Sequence, residues 1–375
     1  MKPKTPIPIE LLTNTDQVLA LSPVLSQENM VAIDTESDSR HRYPEKVCLI
    51  QIATSKKVYL IDTLSIVDLT PIGDLLRDPN IIKVIQGADY DIRCLDRQWG
   101  FRIRNIFDTS IAARFAGMKK FGLSSLTESL LGVQIEKDAR LQKSDWSRRP
   151  FTSESLNYAA TDVWYLSAIC KDLEEKLDAL GRSSWVSEEC SRLEQIRYVP
   201  TDPDIAFLSV KGVSKLDGQA RAIFRRLYTL REAEARRRNR PPYYVLSHES
   251  LVQLASNPDT DFSEIRQLRG EANGRLGRLL RSALRAGIAD PPLTAPKHDR
   301  KTALTPVEME RLWRLKEWRT DEANALGMEP SLVWPMISLE RLARAPGSLT
   351  IEIENPEVRH WQRERFLEHI SYALA

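Results

Sequence analysis

The segment that decides the fold is Val31-Ala32-Ile33-Asp34-Thr35-Glu36, an apolar run that ends in two acids spaced i, i+2. A short run of β-branched and apolar residues is typical of a buried strand. Side chains two positions apart on a strand point to the same face, so Asp34 and Glu36 are predicted to lie together. Buried carboxylates are costly unless a positive charge neutralises them. The sequence therefore indicates a charged site at this strand end.

Two further segments carry acids that are predicted to join this site. They are Gln86-Gly87-Ala88-Asp89-Tyr90-Asp91-Ile92 and Tyr158-Ala159-Ala160-Thr161-Asp162. Tyr158 and Asp162 are four apart in a helical pattern and so share a helix face. Asp91 is predicted to lie just inside a helix, while its rival Asp89 is interpreted as a turn or cap residue. Four carboxylates without a matching cluster of Lys or Arg indicate Mg²⁺ or Mn²⁺, since these ions prefer hard oxygen ligands.

The elements around these segments predict an α/β domain with a mixed sheet flanked by helices. The first strands have short connections, which favour an antiparallel meander. Later segments switch to helical periodicity, so a strand–helix–strand crossover is expected between the two regions. The predicted strands are 30–34, 47–53, 57–61 and 81–85, and the predicted helices are 72–77, 91–99, 109–116, 123–131 and a long one from 153 to about 180.

The rest of the chain is predicted to be all-helical. A length of 375 residues indicates two or three domains. Pro and Asp residues at 198–204 and 290–296 mark linkers, which gives predicted domains at 1–204, 205–293 and 294–375. Thr305, Pro306 and Glu308 fit the N-cap, N1 and N3 positions of a new helix. The two helical blocks share a plan, an Arg-rich first helix, a Pro-containing turn and a Leu-rich helix, and are interpreted as a diverged repeat.

Bulk composition excludes several classes. The chain is 42% apolar and 28% charged, as in globular proteins. Its four cysteines are scattered and no C-x-x-C pair occurs, so a disulfide framework or zinc site is not expected. No signal core or membrane span is recognisable, and a cytoplasmic location is predicted. Net charge is only +2, but Arg236-Arg237-Arg238-Asn239-Arg240 is either a solvated helix end or a phosphate-contacting patch.

The three acidic segments resemble the motifs of the DEDD exonuclease superfamily, whose fold is ribonuclease-H-like. Tyr158, four residues before Asp162, matches the tyrosine-type branch, because the histidine of the other branch would replace Asn157. The chain more specifically resembles the ribonuclease D family, and its helical blocks resemble HRDC domains. The stretches that carry this resemblance are Tyr43-Pro44-Glu45-Lys46-Val47-Cys48-Leu49-Ile50-Gln51-Ile52-Ala53, Phe107-Asp108-Thr109, Lys143-Ser144-Asp145-Trp146-Ser147-Arg148-Arg149-Pro150, Leu156-Asn157-Tyr158-Ala159-Ala160-Thr161-Asp162-Val163 and residues 231–247.

The resemblance implies a 3′→5′ exoribonuclease with two divalent ions, Mg²⁺ or Mn²⁺, which releases 5′-mononucleotides and trims tRNA precursors and other small structured RNAs. Asp34 would bridge both ions, Glu36 and Asp162 would complete the shell of one, and Asp91 would hold the other. Tyr158 would position the hydrolytic water. Many relatives have His where this chain has Gln86, a change expected to alter local packing rather than metal binding.

Basic and aromatic residues near the motifs are candidate RNA contacts, because a single strand needs phosphate pairing and base stacking. The alternative is an ordinary surface loop with a packed tryptophan. Asp108 and Asp145 are expected to cap helices or hold loops. Two other functions stay open: an RNA-binding scaffold with an inactive nuclease, and a 3′→5′ exonuclease that acts on DNA. A helicase is excluded because no phosphate-binding loop motif is present, and a monomer is expected. The candidate RNA contacts are Arg40, Arg42, Tyr43, Trp146, Arg148 and Arg149.

Overall fold

The computed structural model describes residues 6–136, 138–294 and 303–374. Two compact units divide the chain. The first unit consists of Met1–Glu36, Val47–Tyr198 and Thr302–Ala375, and the second consists of Ser37–Lys46 and Val199–Lys301. The loop after the first acidic motif therefore belongs to the second unit, while the last helical block belongs to the first.

The first unit begins with the sheet region. Its strands are β1 Ile9–Leu12, β2 Met30–Ser37, β3 Val47–Ala53, β4 Val58–Ile61, β5 Ile82–Ile85 and β6 Ile106–Asp108. Its helices up to residue 198 are α1 Thr15–Leu25, α2 Thr70–Arg77, α3 Asp89–Trp99, α4 Thr109–Phe115, α5 Leu123–Leu131, α6 Ala139–Gln142, α7 Ser153–Trp164, α8 Leu166–Ala179 and α9 Ser183–Leu193.

The later helices follow in two groups. The second unit contains α10 Gly218–Arg238, α11 Pro242–Val245, α12 His248–Ser256 and α13 Arg275–Ala289. The last block of the first unit contains α14 Pro306–Leu326, α15 Pro330–Val333, α16 Met336–Arg344, α17 Leu349–Glu352 and α18 His360–Leu374. Short 3₁₀ turns cover Ala206–Ser209, Val213–Lys215, Phe262–Glu264, Arg266–Leu268 and Pro346–Ser348.

The sheet is mixed, as predicted, and its strand order is β1-β4-β3-β2-β5-β6. Strands β3 and β4 pair antiparallel, whereas β5 is parallel to both β2 and β6. The β2–β5 register pairs Ile33 with Ile85. Because carboxyl ends of parallel strands meet at one edge, the acids after Ile33 and the segment after Ile85 emerge side by side.

Helices cover both faces of this sheet, and β2 is buried from both sides. Val31 and Ile33 pack into the cluster that contains Ile92 of α3. Ala32 packs into the opposite cluster with Ala159 of α7. Since side chains alternate along a strand, Asp34 and Glu36 continue the face of Ala32 toward α7. Thr35 continues the face of α3.

The last helical block packs onto the nuclease helices through a shared aromatic core. Trp361 of α18 stacks on Trp185 of α9 with ring centroids 4.5 Å apart, and it meets Phe115 of α4 edge-on at 5.4 Å. The guanidinium of Arg182 donates to the Phe115 carbonyl at 2.7 Å and to the Leu326 carbonyl at 2.5 Å. This block is thus an integral part of the first unit.

The helix lengths of the two helical blocks agree with the predicted repeat. Helices α10 and α14 have 21 residues each, α11 and α15 have four and both start at Pro, and α12 and α16 have nine. The capping box of Thr305 and Glu308 is also confirmed. In the described residues, none of the helices combines the length and the hydropathy needed to cross a membrane.

Some elements differ from the sequence prediction. The long helix predicted from 153 is two helices that meet at Tyr165. The sequence reading missed β1, α1, β6 and α9, which are short or weakly patterned. Cys48, Cys94, Cys170 and Cys190 are free and buried, as expected.

Candidate active site

The edge of the sheet at the carboxyl ends of β2 and β5 brings together the residues predicted to form the site. Asp34 and Glu36 extend from β2, Asp91 lies in the first turn of α3, and Tyr158 and Asp162 share one face of α7. The acids lie close enough to interact, because the charges of Asp91, Asp162 and Glu36 all raise the pKa of Asp34.

Asp91, rather than Asp89, faces this edge. Asp91 is 6% exposed and accepts a short hydrogen bond from the Thr35 hydroxyl. Asp89 points outward and forms a bidentate ion pair with Arg93, with both N···O distances 2.9 Å. Thr35 was not singled out from the sequence, although its place between Asp34 and Glu36 on the opposite face was the signal that could have identified it.

Burial raises the pKa values of all four acids, and repulsion by other site carboxylates adds to the rise at Asp34 and Glu36. The pKa of Asp34 is well above its ordinary value because of burial and then the charges of Asp91 and Asp162. Burial and the same two charges raise the pKa of Glu36. Burial raises the pKa of Asp91 to about 6, against the opposing effect of the Thr35 hydrogen bond. Burial raises the pKa of Asp162 to about 7, and the hydrogen bond from Tyr158 opposes that rise.

The tyrosine hydroxyl is held in its neutral form. Burial raises the pKa of Tyr158 strongly, and the charges of Asp162, Glu36 and Asp34 add to the effect. The hydroxyl is therefore a hydrogen-bond donor at neutral pH, and it donates to Asp162. The Tyr158 ring packs 6.2 Å from the buried Trp146 ring, which fixes its position.

A cleft of about 900 Å³ opens beside Tyr158 and Asp162. Its walls come from α7, from the start of α5 and from the segment before and within α6. Most of its lining side chains carry a polar group, while Leu123, Ile135, Ala139 and Leu141 supply apolar surface, so the cleft can contact both the polar and the apolar parts of a ligand. The polar lining residues are Ser124, Gln134, Glu136, Asp138, Arg140, Gln142, Glu154, Asn157, Tyr158, Thr161, Asp162 and Tyr165.

The donor set fits a divalent cation by its chemistry. In the described residues, none of the four acids forms an ion pair with Lys, Arg or His. Carboxylates held close without a cation keep raised pKa values, and hard oxygen donors of this kind match Mg²⁺ or Mn²⁺. Within the same described ranges, no group of three or more His, Cys, Asp and Glu side chains has the arrangement needed to hold a metal ion without some side-chain movement. The residues that would hold metal are Asp34, Glu36, Asp91 and Asp162.

Two of the predicted RNA contacts are wrong. Trp146 is 2% exposed and packs between Phe151 and Tyr158, so its ring is core and unavailable for base stacking. The Arg149 guanidinium is engaged inside the fold, where it pairs with Asp62 at 2.5 and 2.6 Å. It also lies 3.8 Å from the Phe151 ring centroid. Arg149 therefore stabilises the fold and is not a phosphate contact.

The remaining candidates differ in exposure. Tyr43 is half-buried in the second unit, where its hydroxyl donates to Glu232, so it holds its loop in place. Arg40 is exposed, Arg42 is half-buried, and the Arg148 side chain is 82% exposed. The RNA contacts of Arg40, Arg42 and Arg148 stay predictions.

Residues near the second motif have structural roles. Gln86 accepts from the Thr109 hydroxyl at 2.7 Å and donates to the Phe121 carbonyl at 2.9 Å, so it links β5 to later segments. Asp108 caps α4 and also accepts from the backbone of Ala88 at 2.8 Å. The cap predicted for Asp108 is thus confirmed.

Comparisons with known proteins agree with this architecture. A family model described as 3′-5′ exonuclease matches residues 9–178, and an HRDC domain model matches residues 220–281. The ribonuclease D of Granulibacter bethesdensis is 32% identical over 366 residues, which covers 95% of this chain and 90% of that protein. The chain belongs to the ribonuclease D family. It is a 3′→5′ exoribonuclease by enzyme class, and the exonucleases of this superfamily depend on divalent metal.

A further relative and two solved structures extend the comparison. The ribonuclease D of Pseudomonas paraeruginosa is 31% identical and covers 92% of each chain. The crystal structure of Escherichia coli RNase D has the same fold, with a TM-score of 0.74 at 23% identity over 98% of this chain and 99% of that one. The catalytic core of RRP6 from Trypanosoma brucei matches 76% of this chain and 80% of its own, with a TM-score of 0.65 at 26% identity.

Proposed function

We propose that this enzyme trims the 3′ ends of tRNA precursors and other small structured RNAs by hydrolysis assisted by two divalent ions. The observation that carries the proposal is the set of Asp34, Glu36, Asp91 and Asp162 at one sheet edge, all with raised pKa values and with Tyr158 beside them. Such a set binds hard cations and phosphate together more readily than it binds phosphate alone.

Each residue has a separate task in the proposal. Asp34 would bridge the ions, Glu36 and Asp162 would complete the shell of one, and Asp91 would hold the other. The ions would activate water and stabilise the leaving 3′ oxygen of the cleaved phosphodiester. Thr35 holds the Asp91 carboxylate in orientation through its hydrogen bond. Water adds to phosphorus, the ester bond to the upstream 3′ oxygen breaks, and a 5′-mononucleotide leaves.

Tyr158 orients the water through a neutral hydroxyl rather than acting as a base. Its raised pKa keeps the hydroxyl protonated at neutral pH, so it carries no negative charge with which to take a proton from the water. The adjoining cleft has a volume in the range of small-molecule sites, which supports binding of the terminal nucleotide there.

Several wider features belong to the same proposal. The domain division 1–204, 205–293 and 294–375 agrees with the helix lengths of the repeat, although the last block packs with the nuclease helices. We propose a monomer that acts in the cytoplasm. Arg40, Arg42 and Arg148 are proposed to contact the phosphate backbone.

The test uses single-stranded RNA labelled at its 5′ end and a DNA of the same sequence, each with Mg²⁺, Mn²⁺ or EDTA. A metal-dependent ladder that shortens RNA from its 3′ end supports the proposal. Equal shortening of DNA would replace the RNA assignment with the DNA exonuclease alternative. Binding of RNA without cleavage in either metal would favour the scaffold alternative.

Two variants and a matched control test the proposed metal-binding acids. Asp34→Asn and Asp91→Asn should each lower the cleavage rate by about 100-fold or more, the scale for removal of one group that stabilises developing charge. Asp89→Asn should cleave RNA at the wild-type rate, because Asp89 faces solvent and pairs with Arg93. Wild-type activity in Asp34→Asn would remove the proposed bridging role.

A further inference from the structure

The second unit presents an aromatic pair that the functional site leaves unused. Helix α10 ends at Arg238, and Asn239 follows in the left-handed conformation with a φ of 48°. Pro241 and Pro242 then start α11, and Tyr243 and Tyr244 project outward, each 50% exposed. Their ring centroids are 4.7 Å apart.

The backbone under this pair is rigidly anchored. Val245 is 1% exposed and Leu246 is fully buried in the hydrophobic core of the unit. The two prolines fix their φ angles before the tyrosines begin. Two large half-exposed rings are thus held on a stiff turn, so little conformational entropy is lost when a ligand contacts them.

The loop 37–46 is fastened against the same turn. The Tyr243 hydroxyl donates to the Arg40 carbonyl at 2.9 Å. The Tyr43 amide donates to the Asn239 side chain at 3.3 Å, and the Tyr43 hydroxyl donates to Glu232. These contacts bring the exposed Arg40 next to Tyr243.

The arginines of residues 236–240 differ in their contacts: some form ion pairs within the unit, and Arg240 lies at the surface beside the two tyrosines. Arg237 and Arg238 pair with Glu234, which is 2% exposed. Arg240 is exposed, and its guanidinium lies 5.8 Å from the Tyr244 ring centroid. A cationic residue therefore flanks each tyrosine: the charge of Arg40 acts on the Tyr243 hydroxyl, and the guanidinium of Arg240 lies over the Tyr244 ring.

We propose that Tyr243, Tyr244, Arg40 and Arg240 form a platform that binds a single-stranded segment of the RNA substrate. This inference rests on the proposed RNA substrate and adds a binding surface outside the catalytic acids. Exposed ring faces stack on bases of any sequence, and guanidinium groups beside them pair with phosphates. The positive charge of both flanking groups matches a polyanion.

The experiment measures equilibrium binding of fluorescent oligouridine in EDTA, where no cleavage occurs. Tyr243→Ala/Tyr244→Ala should weaken binding by roughly 10-fold or more, the scale for loss of stacked bases. Tyr244→Phe keeps both rings and also the Tyr243 hydroxyl that donates to the Arg40 carbonyl, so it should bind within about 2-fold of wild type, because stacking needs the π-face rather than the hydroxyl. Tyr372→Ala, which removes an 82% exposed tyrosine elsewhere, is the matched control and should bind like wild type.

The outcomes separate this platform from the proposed function. Failure of the wild-type chain to shorten RNA in Mg²⁺ or Mn²⁺ refutes the proposed function. Cleavage by wild type, together with unchanged RNA affinity of the double alanine variant, refutes the platform alone. Equal loss of affinity in the double alanine variant and in Tyr244→Phe also refutes it, since the Tyr244 hydroxyl and not the ring faces would then matter.

A second measurement uses only the wild-type chain, so its outcome does not depend on whether a variant folds. RNA containing 5-iodouridine is irradiated with the wild-type chain in EDTA, and the cross-linked peptide is identified by mass spectrometry. A cross-link at Tyr243 or Tyr244 supports the platform. Cross-links confined to other aromatic residues, such as the 47% exposed Tyr90, overturn it.

Discussion

Replacement of Asp162 with Asn should stabilise the metal-free enzyme while it destroys cleavage. The pKa of Asp162 rises from an ordinary 3.8 to about 7, chiefly through burial. The folded state therefore favours the protonated acid, and the charged form of Asp162 destabilises the folded state. This penalty is absent below the ordinary pKa, grows as the pH rises toward about 7 and is complete above it. Asparagine keeps an oxygen that accepts from Tyr158 but carries no charge.

The magnitude follows from the size of the pKa change. A difference of about 3 pKa units corresponds to about 4 kcal/mol at 1.36 kcal/mol per unit, which is an upper bound. The other acids of the site also lower their charge when Asp162 is charged, so we expect about half of this, about 2 kcal/mol. That change raises the melting temperature of a unit of this size by about 4–8 °C.

The assay is thermal unfolding of wild type and Asp162→Asn in EDTA, followed by tryptophan fluorescence at about pH 8 and about pH 5. The stabilisation should fall by more than half at the lower pH, because Asp162 is then mostly protonated in the folded wild type. Addition of Mg²⁺ should raise the melting temperature of wild type more than that of the variant, since binding to the folded state alone stabilises it.

Two results would refute this reasoning. A variant no more stable than wild type at the higher pH would mean that the Asp162 carboxylate is not destabilising in the folded chain. Equal stabilisation at both pH values would mean that the gain comes from packing rather than charge. Glu154→Gln, on the same helix but with a side chain 67% exposed, is the control and should change the melting temperature little at either pH.

Four further variants separate catalysis and RNA binding from stability. Tyr158→Phe should lower turnover about 10-fold or more with little change in melting temperature, and wild-type turnover would contradict the water-orienting role. Arg149→Ala should cost about 3 kcal/mol in thermal unfolding, because Asp62, with a side chain 3% exposed, is left unpaired. Arg148→Ala should unfold like wild type but bind RNA more weakly in anisotropy, and equal affinity would rule out its contact. Trp361→Ala should cost about 3–5 kcal/mol through loss of the shared aromatic core, and an unchanged melting temperature would show that the last block is dispensable.

Local sequence patterns were sufficient to predict the main strands and helices and the positions of the acids on them. The strand of Asp34 and the helix of Asp162 are set by hydrophobic periodicity within a few residues, and both were predicted, although the helix of Asp162 ends at Trp164 rather than near residue 180. The capping box at Thr305 is likewise local. By contrast, β1 and β6 have only four and three residues and rest on pairing with distant strands, so their own sequences carry little signal.

The candidate RNA contacts show where local reasoning fails. Trp146 and Arg149 lie in a Ser-, Arg- and Pro-containing segment that is typical of a surface loop. Their burial is decided by Asp62 and Tyr158, which are far away in sequence. Tyr43 was assigned to the nuclease loop, but Glu232 holds it in the second unit.

The sequence by itself determined the family, the mixed sheet, the helical repeat and the strand and helices on which the acids lie, because strand and helix periodicities and motif spacings depend on residues that are close together in the chain. Only the tertiary structure decided that Thr35 holds Asp91, that the last helical block shares a core with the nuclease helices, and that Tyr243 and Tyr244 stand beside Arg40 and Arg240. Those facts depend on which amphipathic surfaces bury one another, and burial is a property of distant segments that meet only in the folded chain.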